Sequence, residues 1–447
     1  MLSLLRTSSC ATRRTLAAPS WRARRSLATV TNDLTFQPRA NNQTVVSTDG
    51  QPASLHLKTG QSFHGKSFGA PKSAFGETVF STSITSYTES MTDPSYRAQL
   101  LVFTTPLIGN YGVPKNVAPS HDRGPNMLLE APGVQCAGVI VADLALKYSH
   151  YQAVESLSEW CLRWGVPGIT GVDTRAITCL LRDQGTTLGQ LAIGADSHIP
   201  PASPEDFWDP AKENLVAQVS TREAYTLNPE GDVHIALLDY GAKANIARSL
   251  VKRGAKVTVL PWNTDVWAIK DQFDGLFLSN GPGDPGHCME SVHHVRKMIQ
   301  DWNKPIFGIC MGNQIIGLSA GLEAYRMRFG NRGHNQPALA LANHRSIKAG
   351  RIYVTSQNHQ YALRLVDPFP DGWEPWFINA NADSSVEGVR SKDGRVACVQ
   401  FHPESAGGPL DTIEMFTDFL TDCRAAKSAS GQPALKSRSS RAAQASL

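Results

Sequence analysis

Pro305-Ile306-Phe307-Gly308-Ile309-Cys310-Met311-Gly312-Asn313-Gln314-Ile315-Ile316-Gly317-Leu318 passes from an apolar run into apolar residues at helical spacing, with one cysteine between two glycines at the change. Strand, sharp turn and helix in that order make the nucleophile-elbow pattern G-x-[SC]-x-G, which pushes a reactive atom up from the C-terminal edge of a strand. The flanking glycines are required because side chains there would collide with neighbouring backbone. A thiol with a pKa of ~8.5 is only a few per cent thiolate at neutral pH, so it needs a base or a positive dipole beside it. The helix starting at Met311 offers the dipole. His402, in Phe401-His402-Pro403-Glu404 about ninety residues on, offers the base. The pair predicts a covalent thioester.

A lone cysteine is ordinarily a small buried hydrophobe, and Cys136, Cys161, Cys179 and Cys398 read that way. The elbow around Cys310 reverses that reading. His402 follows the apolar run Val396-Ala397-Cys398-Val399-Gln400-Phe401, a buried strand that would deliver it to a sheet edge. Catalytic loops of open α/β sheets sit at such edges. A third element, Leu276-Phe277-Leu278-Ser279-Asn280-Gly281-Pro282-Gly283-Asp284-Pro285, runs from a strand into a glycine-rich turn. It lacks the Gly-Lys-Ser/Thr ending of a phosphate loop. Its chemistry would be a backbone amide for the oxyanion that forms when a thiolate attacks a carbonyl, a donor whose removal costs about 10²–10³ in rate.

Together these elements resemble the class I glutamine amidotransferases, over roughly residues 233–422. The resemblance implies that Cys310 is the nucleophile, His402 the general base and acid, and Glu404 the group that orients it. It places Gly281 and Gly283 at the border of the oxyanion and substrate site, with the Met311 amide, and gives Gln314 a hold on L-glutamine. Phe80-Ser81-Thr82-Ser83-Ile84-Thr85-Ser86-Tyr87-Thr88-Glu89 and Thr92-Asp93-Pro94-Ser95-Tyr96-Arg97-Ala98-Gln99 resemble the N-terminal domain of carbamoyl-phosphate synthase small subunits. So do Ile108-Gly109-Asn110-Tyr111-Gly112, Gly168-Ile169-Thr170-Gly171-Val172-Asp173-Thr174-Arg175-Ala176 and Ser356-Gln357-Asn358-His359. That likeness adds Ser83, Asn358, Gln360 and Tyr361 to the glutamine contacts. Two positions depart from the family pattern: Asn313 stands where it usually has His, and Gln360-Tyr361 where it has Gly-Phe.

The resemblance implies an enzyme that hydrolyses glutamine to glutamate and ammonia and hands the ammonia to a large synthetase subunit. ATP, bicarbonate and Mg belong to that partner, and this chain carries no cofactor or metal of its own. The other readings are a catalytically weakened regulatory subunit of the same complex and a free-standing amidase of the same fold. The implied fold class is α/β: a mixed α/β small-subunit domain over residues 45–190, then an amidotransferase domain over 233–425 built on an open, mostly parallel sheet. Alternating strands and helices from Val233 agree with that. Residues 195–232, with Pro200-Pro201, Pro204 and Pro210, read as a linker.

At 447 residues and 41% hydrophobic content the chain can bury sizeable cores. It has no apolar run of the ~18 residues that span a membrane. Eight cysteines without CxxC or close His spacing point away from a disulfide framework and from zinc, and toward a reducing compartment. The formal charge of +4 is misleading. Without the six Arg of residues 1–32 and the four cations of residues 427–447, the body carries −6, so no basic face invites nucleic acid. Residues 1–32 contain no acid and are rich in Arg, Ser, Ala and Leu, the composition of a mitochondrial transit peptide. Matrix targeting favours the arginine pathway over the pyrimidine one. Residues 427–447 read as a disordered tail. N-terminal sequencing of the cellular protein should find a start between about residues 25 and 40. A start at Met1 or Leu2 in a cytosolic fraction would contradict the targeting.

Overall fold

Five short segments of near-continuous aliphatic sequence, each too apolar to face water on either side, set the centre of the second domain. We describe the protein from a computed structural model, which covers residues 50–115, 129–381 and 385–431. The first domain begins β1 (Pro52–Leu57), β2 (Ser62–Gly69), β3 (Ala74–Ser81), α1 (Tyr87–Thr92) and β4 (Gln99–Phe103). It continues through β5 (Leu107–Ile108), β6 (Val113–Pro114), β7 (Gly138–Ile140), β8 (Asp143–Leu144) and β9 (Ala153–Glu155). It ends with α2 (Leu157–Arg163), β10 (Pro167–Thr170), α3 (Thr174–Gln184) and β11 (Thr187–Ile193). Strands β1-β11-β3-β4-β7-β10-β2 close a barrel, while β5 pairs β8 and β6 pairs β9 as short ribbons. Along β4 the period of two sends Leu100 and Val102 into one core with Leu55, Ile140 and Leu191, and Leu101 and Phe103 into another with Val139, Met91 and Trp160.

The second domain follows α4 (Leu215–Val219) with β12 (Tyr225–Leu227), β13 (His234–Asp239), α5 (Ala244–Lys252), β14 (Lys256–Pro261) and β15 (Gly275–Leu278). Next come α6 (Met289–Asp301), β16 (Ile306–Ile309), α7 (Met311–Ser319), β17 (Ala324–Ala340) and β18 (Ile352–Leu363). Last are β19 (Trp373–Asn379), β20 (Val386–Ser391), β21 (Val396–Val399) and α8 (Met415–Gly431). The sheet is open, ordered β12-β14-β13-β15-β16-β21-β20-β18-β17-β19. The run β14-β13-β15-β16-β21 is parallel, and an antiparallel wing extends it. Ile235 and Leu237 of β13 bury against α5 and α8, whereas Ala236 and Leu238 face α6 and α7. Helices therefore cover both faces, and the strand ends of the parallel run are left for chemistry. The described residues of both domains belong to one compact unit.

The local readings differ from the structure in two places. The stretch 195–232 is more than a linker: α4 buries Leu215, Val216 and Val219, and β12 adds an edge strand antiparallel to β14. Its apolar residues outweighed its prolines. Helix α2 starts at Leu157, because Ser156 and Glu159 form a reciprocal capping box and Ala153–Glu155 pairs with β6. The chain stays helical to Gly431 rather than losing order at Lys427, whose Nζ is held by the Asp232 carbonyl and by Asp274. The transit-peptide expectation for residues 1–32, and the tail expectation beyond Gly431, fall outside the described residues.

The elbow glycines have a measurable reason. A Cβ on Gly312 would stand 2.4 Å from the Leu278 carbonyl oxygen, and one on Gly308 would stand 2.7 Å from the Gly312 carbonyl carbon. Both obstacles are backbone. Gly312→Ala should therefore destabilise the protein by about 1–3 kcal/mol. Chemical denaturation of the two proteins would check this, and equal stability would contradict the packing.

Candidate active site

β16 and β21 run side by side, Ile309 in register with Val399, so the residues that follow both strands emerge together at one sheet edge. Cys310 caps α7 with φ 53° and ψ −99°, a strained left-handed conformation for a residue with a side chain. Its amide donates to the Val399 carbonyl at 2.8 Å, and the Gly312 amide donates to Ser279 at 3.0 Å, so the turn is over-determined. The thiol is 2% exposed. Burial pushes it up to about 12, helped by the carboxylates of Asp93 and Glu404 and opposed by the Lys243 ammonium and the Met311 amide. The resting nucleophile is therefore a neutral thiol.

His402 and Glu404 are both fully enclosed, and Nδ1 of the ring lies 2.7 Å from Oε1 of the carboxylate. In the neutral ring a contact that short to a carboxylate places the proton on Nδ1, which leaves Nε2 as the unprotonated nitrogen. Nε2 has no hydrogen-bond partner among the described residues. It is a base with an open lone pair. Burial alone would raise the Glu404 carboxyl, but His402 and Lys243 hold it down at about 2.

Nothing in the local sequence marks Lys243, which precedes α5. Its Nζ stands 3.3 Å from Glu404 Oε1, 3.6 Å from Asp93 Oδ2 and 3.2 Å from His402 Nδ1. Since Nδ1 gives its proton to Glu404, the ammonium serves the two carboxylates. Burial works against that charge, yet Asp93, Glu404 and Glu130 together raise the lysine above its ordinary value. Asp93 comes from the first domain and also accepts from Nδ2 of Asn358 at 3.2 Å. Asn280, in the glycine-rich turn, accepts from the Lys243 amide at 2.9 Å and donates to Ser95 Oγ at 3.0 Å.

The pocket that holds Cys310 runs between the domains. Gly281, Gly283, Gln314, Asn358, Gln360 and Tyr361 all line it. Gln314 Nε2 donates to the Tyr361 carbonyl at 2.9 Å and to Gln400 Oε1 at 3.2 Å. Met311 supplies its amide beside Sγ. Ser83 is not in this pocket. It bonds Ser81 at 3.1 Å and lines a neighbouring cavity with Asp93, Lys243 and His402. Ser95 lines the pocket of Cys310 instead, carried there by a one-turn 3-10 segment that Asp93 caps. Of the departures, Asn313 points away, donating to Gln400 Oε1 at 3.1 Å, while Gln360 reaches into the wall. Residues 209–211 and Leu215 of the former linker close one side. Among the described residues no group of three or more His, Cys, Asp or Glu could hold a metal ion, and no helix is long and apolar enough to cross a membrane.

The glutamine amidotransferase class-I family matches residues 236–423, and the CPSase domain of the carbamoyl-phosphate synthase small chain matches residues 55–191. A carbamoyl phosphate synthase arginine-specific small chain from Aspergillus clavatus is 47% identical over 373 residues, 83% of this chain and 79% of that protein. The protein of the same description from Chaetomium globosum is 48% identical over 372 residues, 83% and 78% of the two chains. That from Hypocrea virens is 46% identical over 381 residues, 85% and 81%.

The pH dependence of stability follows from Glu404. Its folded-state carboxyl lies at about 2, below its ordinary 4.5, so its stabilisation is complete above the unfolded value and is lost as pH falls through about 2. Denaturation curves of the parent should show a stability decline between about pH 4.5 and 2 that Glu404→Gln flattens. Parallel curves for the two proteins would contradict the pairing.

Proposed function

The chain belongs to the carbamoyl-phosphate synthase small chains that carry a class I glutamine amidotransferase domain, and we propose that it hydrolyses L-glutamine through a Cys310 thioester and delivers the ammonia to a large synthetase subunit. The observation that carries the chemistry is the open Nε2 of His402, oriented by Glu404 just past the strand that pairs with the one leading into the strained cysteine. Nε2 takes the thiol proton as Sγ bonds to the side-chain carbonyl carbon of glutamine. The oxyanion that forms meets the Met311 amide and the turn of Gly281 and Gly283. Collapse breaks the C–N bond, and the imidazolium returns its proton to the departing ammonia. Water, deprotonated by the same nitrogen, then cleaves the γ-glutamyl thioester, and glutamate leaves with the thiol restored.

The pocket between the domains supports glutamine as the substrate, because it joins the nucleophile to polar groups spaced along an amino-acid side chain. The large subunit would hold ATP, bicarbonate and Mg and make carbamoyl phosphate for arginine biosynthesis. The acid-free, Arg-rich residues 1–32 support the mitochondrial matrix as the place.

Cys310→Ser in the complex should abolish carbamoyl phosphate synthesis from glutamine, by on the order of 10⁴–10⁶ in rate, and leave synthesis from free ammonia near the parent level. Equal loss with both nitrogen sources would sink the division of labour. Full glutamine activity in the variant would remove Cys310 from the mechanism.

A further inference from the structure

Arg332 is 6% exposed, lines the pocket with Cys310, and has an Nε without a hydrogen-bond partner among the described residues. A buried guanidinium with an open donor is costly unless a ligand acceptor takes it. From these facts, and on the strength of the glutaminase reading above, we infer that Arg332 reads the α-carboxylate of the substrate amino acid.

Strand β18 gives the measure. The Asn358 carbonyl lies 3.8 Å from the Cys310 sulfur. Gln360 is two residues further, so its side chain leaves the same face of the strand roughly 6.6 Å along it. In an extended glutamine the amide carbon and the α-carboxylate carbon are four bonds, roughly 5 Å, apart. Arg332 pairs with Asn358 across β17 and β18, and its Nη2 donates to Gln360 Oε1 at 3.1 Å. The guanidinium therefore stands toward the Gln360 end of the pocket, where the carboxylate of a substrate held by Cys310 would arrive.

The neighbouring charges are otherwise engaged. Glu77, the carboxylate that bears most on Arg332, is ion-paired with Arg326 and accepts from Thr186 at 2.8 Å and Gln99 at 3.3 Å. Arg97, also in the wall, donates to Gln218 at 3.3 Å. Gln360 holds the fork in place. Opposite it β17 makes an excursion, with Arg326 facing Tyr361 and Asn331 facing His359, so residues 327–330 have only Gln360 before them. Its Nε2 donates to the Met327 carbonyl at 2.6 Å while its Oε1 receives Arg332. A glycine at 360 could do neither. The residue that departs from the family pattern is thus a brace for the cation.

The test uses the complex of full chain and synthetase subunit, with ammonia release measured from L-glutamine and from L-glutamine α-amide, which lacks the carboxylate charge. The parent should have a KM roughly 10- to 100-fold lower for glutamine than for the α-amide. Arg332→Gln should raise the glutamine KM by a similar factor, keep kcat within a few fold, and leave the α-amide KM unchanged. Arg332→Lys, which keeps the charge without the fork, should fall between, and it guards against a variant that fails to fold. An unchanged glutamine KM in Arg332→Gln, or an equal rise for both substrates, would overturn the assignment and leave the glutaminase reading intact. A parent that releases no ammonia from glutamine would overturn both.

Discussion

The active centre depends on one buried ammonium. Lys243 is 6% exposed and stands between Asp93 of the first domain and Glu404 of the second. Each of those carboxylates would be costly to bury alone, by several kcal/mol, and the pair together more so. The lysine resolves this: burial works against its charge, yet the carboxylates raise its pKa above the ordinary value and keep it an ammonium. Its position is set from both sides. Glu130 of the first domain accepts from the backbone amides of Ala244 and Asn245 at the start of α5, at 2.9 and 3.0 Å. Burial lifts the Glu130 carboxyl to about 7 even against Arg248 and Lys243, so the contact is a compromise between desolvation and pairing. The second domain contributes Asn245 Nδ2, which donates to the Glu404 carbonyl, and Asn280, which receives the Lys243 amide.

That arrangement explains how one cysteine is kept quiet and one histidine kept ready. Burial, joined by Asp93 and Glu404, opposes thiolate formation at Cys310, and Lys243 with the Met311 amide is too little to reverse it. The helix dipole, which sequence alone suggests as an activator, is therefore not sufficient in the resting site. In the proposed attack the proton would leave to Nε2 of His402, which has no hydrogen-bond partner among the described residues. Glu404 fixes the tautomer that keeps Nε2 open, and Lys243 keeps Glu404 ionised while doing so. A neutral resting thiol is also a poor target for adventitious oxidation, since the thiolate is the reactive form.

The sequence shows what is local and hides what is assembled. Cys310 with its glycines, and His402 with Glu404, are readable because backbone geometry and chemistry occur within five residues. The parallel strands are readable because they are apolar throughout, whereas the barrel is not, because its strands are short and mixed in character. Lys243 meets His402 across 159 positions and Asp93 meets Asn358 across 265, so no spacing rule reaches them. The Asp93-Pro94-Ser95 turn was in view as part of a resemblance, yet only the fold tells that Ser95 faces the nucleophile and Ser83 the cavity behind it. The proline-rich stretch before Val233 was misread for a related reason. Leu215 and Val216 look like isolated apolar residues until the glycine-rich turn they pack beside is folded.

The consequence reaches the division of roles between the domains. A complete triad in the second domain suggests that the first has no chemistry of its own. The pocket contradicts this, because Glu77, Ser95, Arg97 and Gln99 make its near wall and Asp93 sits in the charge network of the triad. The ion pair of Arg326 with Glu77 and the bond from Thr82 to the Arg332 carbonyl tie the first domain to the excursion of β17 that Gln360 braces. Substrate would therefore be bound by a surface that exists only when the two domains are packed. Any force that shifts the barrel, such as a partner resting on it, would be felt at Lys243 and at the wall of the pocket before it was felt at Cys310, whose strained turn is held by the second domain's own backbone. The cysteine's turn belongs to one domain, and the wall of its pocket is shared by both.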